Sequence, residues 1–85
     1  MNTHRILIVE DDMKIASMLA DTLRKYHYEV KTVEHFDQII EEFKVFDPHL
    51  VLLDINLPSY DGFYWCRQLR QFTTVPIIYI SARSG

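Results

Sequence analysis

Two places in the chain set carboxylates where they could do chemistry. Glu10, Asp11 and Asp12 follow the apolar run Ile6-Leu7-Ile8-Val9 without a break, and Asp54 closes the run Leu50-Val51-Leu52-Leu53. Carboxylates gathered at one point repel each other and cannot all stay ionised without a cation. A donor set of oxygens with no histidine or cysteine suits Mg2+, which takes one or two carboxylates and keeps several waters. A carboxylate beside such a cation can attack phosphorus and become an acyl phosphate, and aspartate is an established nucleophile of this type. The cation offsets repulsion between the nucleophile and the incoming phosphoryl oxygens. Ser81, ending a later apolar run, offers a hydroxyl to the same group. A cationic side chain is also wanted on the phosphoryl oxygens. The chain offers no good candidate, Arg83 being close in sequence only. Taken singly, each acid reads as a solvated strand end or a helix cap. Taken together, the triplet and Asp54 read as a cation site.

That chemistry requires the two acidic strand ends to be neighbours. Residues 5–10 form an apolar run of strand length. Ile15, Met18, Leu19, Leu23 and Tyr26 then recur at helical spacing, with Asp12 as the candidate N-cap. Arg24-Lys25 ends that helix, where positive charge suits the dipole. Residues 28–33 alternate apolar and polar, as a half-exposed strand should. Phe36, Ile39, Ile40, Phe43 and Phe46 predict a second helix, stopped at Asp47-Pro48 because a residue before proline avoids the α region. Leu50 to Asp54 reads as a strand buried on both faces, followed by a loop through Asn56, Pro58, Ser59, Asp61 and Gly62. A third helix over 63–72 turns Trp65, Cys66, Leu69 and Phe72 inward. A last apolar strand covers 76–81, with Pro76 at its first position, where a missing N–H is tolerated.

The resulting βαβαβαβ pattern calls for a parallel sheet with right-handed crossovers. Continuous apolar strands should be central and the alternating second strand an edge, which predicts the order 2-1-3-4. A doubly wound sheet of this kind has its crevice where the chain reverses direction, between strands 1 and 3. Glu10, Asp11 and Asp54 all fall there. This layout covers one face mainly with a single helix and leaves strand 4 as a long, apolar, unpaired edge, which is an association hazard. The expectation is a chain truncated after its fourth strand, lacking at least a strand and a helix, or else one that completes itself with a second copy.

Eighty-five residues make one small domain with a modest core. A net charge of −3 with no Lys/Arg cluster argues against this segment itself clamping nucleic acid. No apolar run approaches membrane length and no signal-peptide pattern opens the chain, so no membrane partner is expected. The single cysteine, Cys66, excludes an internal disulfide, fits a reducing cytosol, and reads as a small core residue. His4, His27, His35 and His49 lack metal-ligand spacing and read as surface residues. Glu41 and Glu42 read as a solvated helix face.

The segments ILIVEDD, LVLLDINLPSYDG and VPIIYISA, in this order and spacing, resemble the receiver domains of two-component response regulators. The resemblance covers residues 1–85 and implies a flavodoxin-like (CheY-like) α/β fold. By resemblance, Asp54 is the phosphoacceptor for a sensor histidine kinase, and the domain is a self-phosphorylating acceptor, not a turnover enzyme. Glu10 and Asp11 look like the acidic pair that holds Mg2+ with Asp54, and Asn56 like the residue whose backbone carbonyl completes the coordination. Ser81 looks like the hydroxyl that bonds the phosphoryl group and shifts on activation. Pro58, Asp61 and Gly62 match the family's structural loop. The family's fifth strand, with its Lys-Pro pair and aromatic switch residue, is not in these residues, nor are its fourth and fifth helices. The run DGFYWCRQLR resembles a cytoplasmic branch that answers cell-envelope antibiotics such as bacitracin and contacts DNA through a separate winged-helix domain.

Three other functions compete. A phosphatase with an aspartyl-phosphate intermediate would resemble the haloacid-dehalogenase type, with a D-x-D pair after the first strand, where Glu10-Asp11-Asp12 does not fit. A receiver-like module could bind proteins without being phosphorylated. An FMN binder would want a Ser/Thr/Gly-rich loop where three acids would repel the phosphate.

Overall fold

Strands and helices alternate as β1 (Arg5–Val9), α1 (Met13–Lys25), β2 (Glu29–Thr32), α2 (Ile39–Phe46), β3 (Leu50–Asp54), α3 (Gly62–Arg70) and β4 (Ile77–Ile80) in the computed structural model, which describes residues 3–81. The four strands are parallel and ordered β2-β1-β3-β4, as strand character predicts. Leu7 stands opposite Val51 and Val9 opposite Leu53, so the acidic ends of β1 and β3 lie side by side.

Alternation of side chains divides the core in two. On one face Leu7, Val9, Val51 and Leu53 meet Ile39 and Phe43 of α2 and Trp65 and Leu69 of α3. On the other, Ile6, Ile8 and Val30 meet Ala16 and Ala20 of α1. The inner stripe of α1 therefore differs from the expected one. Met18 and Tyr26 are exposed, and the alanines are innermost. Small side chains let the helix lie close on β1 and β2, while Leu19 and Leu23 pack beside them. Phe72 also lies outside the expected set. It falls beyond the end of α3, remains partly exposed, and sets its ring edge-on to Phe43 at 5.6 Å. Cys66 is half-buried.

The third and fourth strands are not buried on both faces. Leu50 and Leu52 are half-buried, and Ile78 and Tyr79 are 50% and 40% exposed. The cause is coverage: α1 packs on β1 and β2, and no described helix lies over β4 on that side.

Helix ends follow the sequence. The Asp12 carboxylate accepts the N–H groups of Lys14 and Ile15 at 3.0 and 3.3 Å. At the C-terminus of α2, Asp47 turns left-handed with φ 52°. Arg5 reaches across from β1 to donate through Nε to the carbonyls of Phe46 and Asp47 at 3.1 and 2.9 Å. That cation satisfies carbonyls that the helix leaves free and suits its negative end.

Glu42 departs from the solvated reading. Its side chain is only 12% exposed and lies 3.7 Å from Lys31 Nζ. It accepts the backbone N–H groups of Glu34 and His35 at 3.2 and 2.8 Å, tying the β2–α2 loop to α2. Removing it leaves two loop donors without that acceptor. Glu42→Ala should therefore cost on the order of 1–3 kcal/mol in urea unfolding, and Glu42→Gln, which keeps an acceptor, should cost less.

Candidate functional site

β1 runs directly into Glu10 and Asp11, and β3 ends on Asp54. Because the two strands are parallel neighbours in register, the three carboxylates converge, with an oxygen from each within 4.8 Å of the others. Glu10 is 3% exposed and Asp54 5%, whereas Asp11 is open to solvent. Asp12 stands apart, its carboxylate committed to the start of α1.

Hydrogen bonds aim the acids. The backbone N–H of Asp12 donates to Glu10 Oε2 at 3.0 Å, and Glu10 Oε1 is buried with no partner. The backbone N–H of Asn56 donates to Asp54 Oδ1 at 3.0 Å. This local turn, an Asp bonded two residues ahead, orients the carboxylate, and among the described residues no hydrogen bond reaches its second oxygen. Burial pushes the pKa of Glu10 up from 4.5 to about 7, and the Asp54 carboxylate adds to the rise while the Asp12 N–H opposes it. Among the described residues, no ion pair reaches any of the three acids.

The loop after β3 is pinned at both ends. Ile55 N–H donates to the Ile80 carbonyl at 3.1 Å, and Gly62 N–H donates to the Ile55 carbonyl at 2.9 Å. The Asp61 carboxylate caps α3 through Tyr64 N–H at 2.9 Å. Gly62 is buried against the backbone of the Asp54 strand end, and a Cβ there would overlap the Asp54 carbonyl oxygen. Ile80 is the register partner of Asp54, so Ser81 sits one residue further along at the same end of the sheet, exposed. Arg83 lies outside the described residues.

The structure thus brings Glu10, Asp11, Asp54 and the Asn56 backbone together, with Ser81 on the adjoining strand end. Sequence reasoning missed that Glu10 is buried while Asp11 is open to solvent, and it missed the close approach of Gly62 to Asp54. The cap signal at Asp12 was visible. The buried orphan oxygen of Glu10 had no local signal, since it depends on what packs around β1.

A family profile described as the response regulator receiver domain matches residues 6–85. The chain belongs to that family and is a receiver domain of a two-component response regulator. It is 59% identical over 81 residues to the uncharacterized transcriptional regulatory protein YvcP of Bacillus subtilis, covering 95% of this chain and 34% of that protein. It is 46% identical over 81 residues to the response regulator protein GraR of Staphylococcus epidermidis, covering 95% of this chain and 36% of that protein. Among solved structures, the N-terminal domain of the nisin resistance regulator NsrR, a lantibiotic response regulator, superposes with a TM-score of 0.88. It shares 45% identity, covering 99% of this chain and 71% of that one. The chain spans about a third of the length of the curated relatives it matches.

Two outcomes test the site's physics. A raised carboxylate pKa means that the folded state holds a proton which the unfolded chain has released. In chelator, the Glu10 contribution should be fully present below pH 4.5 and lost as pH rises through about 7. The full change is on the order of 3 kcal/mol, and Glu10→Gln should flatten this part of a pH series of urea unfolding curves. Gly62→Ala should destabilise by roughly 1–3 kcal/mol in the same assay, because backbone cannot rotate away from the new methyl.

Proposed function

We propose that Asp54 accepts a phosphoryl group from a sensor histidine kinase with the help of a divalent cation. The observation carrying this reading is a buried aspartate, held by the Asn56 N–H through one oxygen, beside the unpartnered Oε1 of Glu10. A buried polar atom without a partner is costly, and a cation is the partner that three clustered carboxylates call for. The all-oxygen donor set suits Mg2+, held by Glu10, Asp11, Asp54 and the backbone carbonyl of Asn56. When bound, Mg2+ supplies positive charge that offsets the phosphoryl oxygens.

The free oxygen of Asp54 attacks phosphorus in line with the phosphohistidine nitrogen. The new O–P bond forms as the P–N bond breaks, and the imidazole nitrogen keeps the electron pair. Asp54 becomes an acyl phosphate, and the Ser81 hydroxyl donates a hydrogen bond to a phosphoryl oxygen. One phosphoryl group is received per cycle, so the domain acts as a switch and not as a turnover catalyst. Residues 1–85 form the receiver unit of a cytoplasmic regulator. The relatives named as transcriptional regulators support an output on DNA through chain outside this segment. The lantibiotic response of the NsrR neighbour supports a signal from peptides that attack the cell envelope. Among the described residues, no helix is long and apolar enough to cross a membrane.

Incubation with acetyl phosphate and Mg2+ should add the mass of one phosphoryl group, read by intact-mass spectrometry. Asp54→Ala should abolish the adduct, and chelator or Asp11→Asn should reduce it. A folded sample that binds Mg2+ yet never gains the adduct overturns the reading in favour of a binding module. Steady hydrolysis of phosphate esters would favour a phosphatase.

A further inference from the structure

The loop between β3 and α3 carries the Asn56 backbone, and hydrogen bonds at Ile55, Asn56, Asp61 and Gly62 fix its two ends. Its middle is held differently. Among the described residues, the backbone of residues 57–60 forms no hydrogen bond. Side chains do the holding instead. Leu57 packs against the core cluster of α2 and α3, and Pro58 after it biases Leu57 to extended backbone. Tyr60 lays its ring on that of Tyr64, in the first turn of α3, with centroids 4.2 Å apart and planes 19° from parallel. Tyr64 in turn meets the core residue Trp65 edge-on at 5.0 Å. Tyr60 is itself 54% exposed, so core packing does not account for an aromatic at this place in the loop.

We propose that Tyr60 is a positioning residue for the cation: its stack on Tyr64 clamps the loop, so that the Asn56 carbonyl is ordered before the ion arrives. The inference rests on the reading of Glu10, Asp11, Asp54 and Asn56 as the cation's ligands. A carbonyl on a loose segment has to be ordered as the ion binds, and that lost entropy subtracts from affinity. Asn56 lies between two kinds of anchor. Its N–H is bound to Asp54 Oδ1 on one side, and on the other its carbonyl leads into the segment that Leu57 and Tyr60 hold. An aromatic pair contributes a factor of roughly 2–10 to an equilibrium beyond simple burial. The contact is made by the ring, so phenylalanine serves in its place and an aliphatic side chain does not.

Calorimetric titration of the chain with Mg2+ should give Tyr60→Ala and Tyr60→Leu dissociation constants roughly 2–10 times that of wild type. Tyr60→Phe should bind as wild type does. Tyr64→Ala removes the other half of the stack and should weaken binding to a similar degree, and the double variant should bind about as well as either single one. Urea unfolding in chelator, followed through the emission of Trp65, checks that each protein is folded. A wild type that binds no Mg2+ brings down the cation reading and this inference with it. Wild-type binding matched by Tyr60→Ala overturns the clamp alone. So do additive losses in the double variant, or Tyr60→Phe binding as weakly as Tyr60→Ala.

Discussion

The structure depends on β1 and β3 lying side by side with a carboxylate buried at the end of each. Leu7 against Val51 and Val9 against Leu53 supply apolar burial that sets the register, and that register forces Glu10 and Asp54 together. Burial holds the proton on Glu10 to about pH 7, and the opposing Asp54 carboxylate adds to the effect. The tension is electrostatic and not conformational. Among the described residues, the non-glycine positions with positive φ are His27 and Asp47, both outside the site. A group that brings positive charge relieves this tension directly, so the site is built to respond to what binds there.

The remaining contacts hold that arrangement still. Asn56 N–H fixes one oxygen of Asp54, Gly62 packs on its backbone, and Asp61 caps α3 at the far end of the loop. On the other side Asp12 starts α1 while its own N–H steadies Glu10. Each acidic strand end is thus followed by a helix that an aspartate caps, at once after β1 and across a loop after β3. The two faces of the sheet are unequal. α2 and α3 cover one thoroughly, and α1 covers β1 and β2 on the other, where Ile78 of β4 stays half exposed.

Much of this was legible in the residues. Apolar runs of strand length, helical spacing between them and the alternating second strand specify seven elements and the order 2-1-3-4. Strand pairing then brings Glu10, Asp11 and Asp54 together without any knowledge of side-chain packing. The misread positions are those where periodicity says nothing about the neighbour. Met18 and Tyr26 satisfy a helical apolar pattern as well as Ala16 and Ala20 do, but the close approach of α1 to the sheet selects the alanines. Glu42 has the composition of a surface residue, and a loop that needed acceptors drew it in.

The sequence by itself determined the types and order of the elements, the cap at Asp12, and the convergence of three acids at one crevice. These follow from local periodicity and from the short list of ways parallel strands can connect. Only the tertiary structure decided which acid is buried and which is wet, and which oxygen of Glu10 goes unpartnered. Those depend on what packs against each atom through space, and no spacing along the chain encodes that.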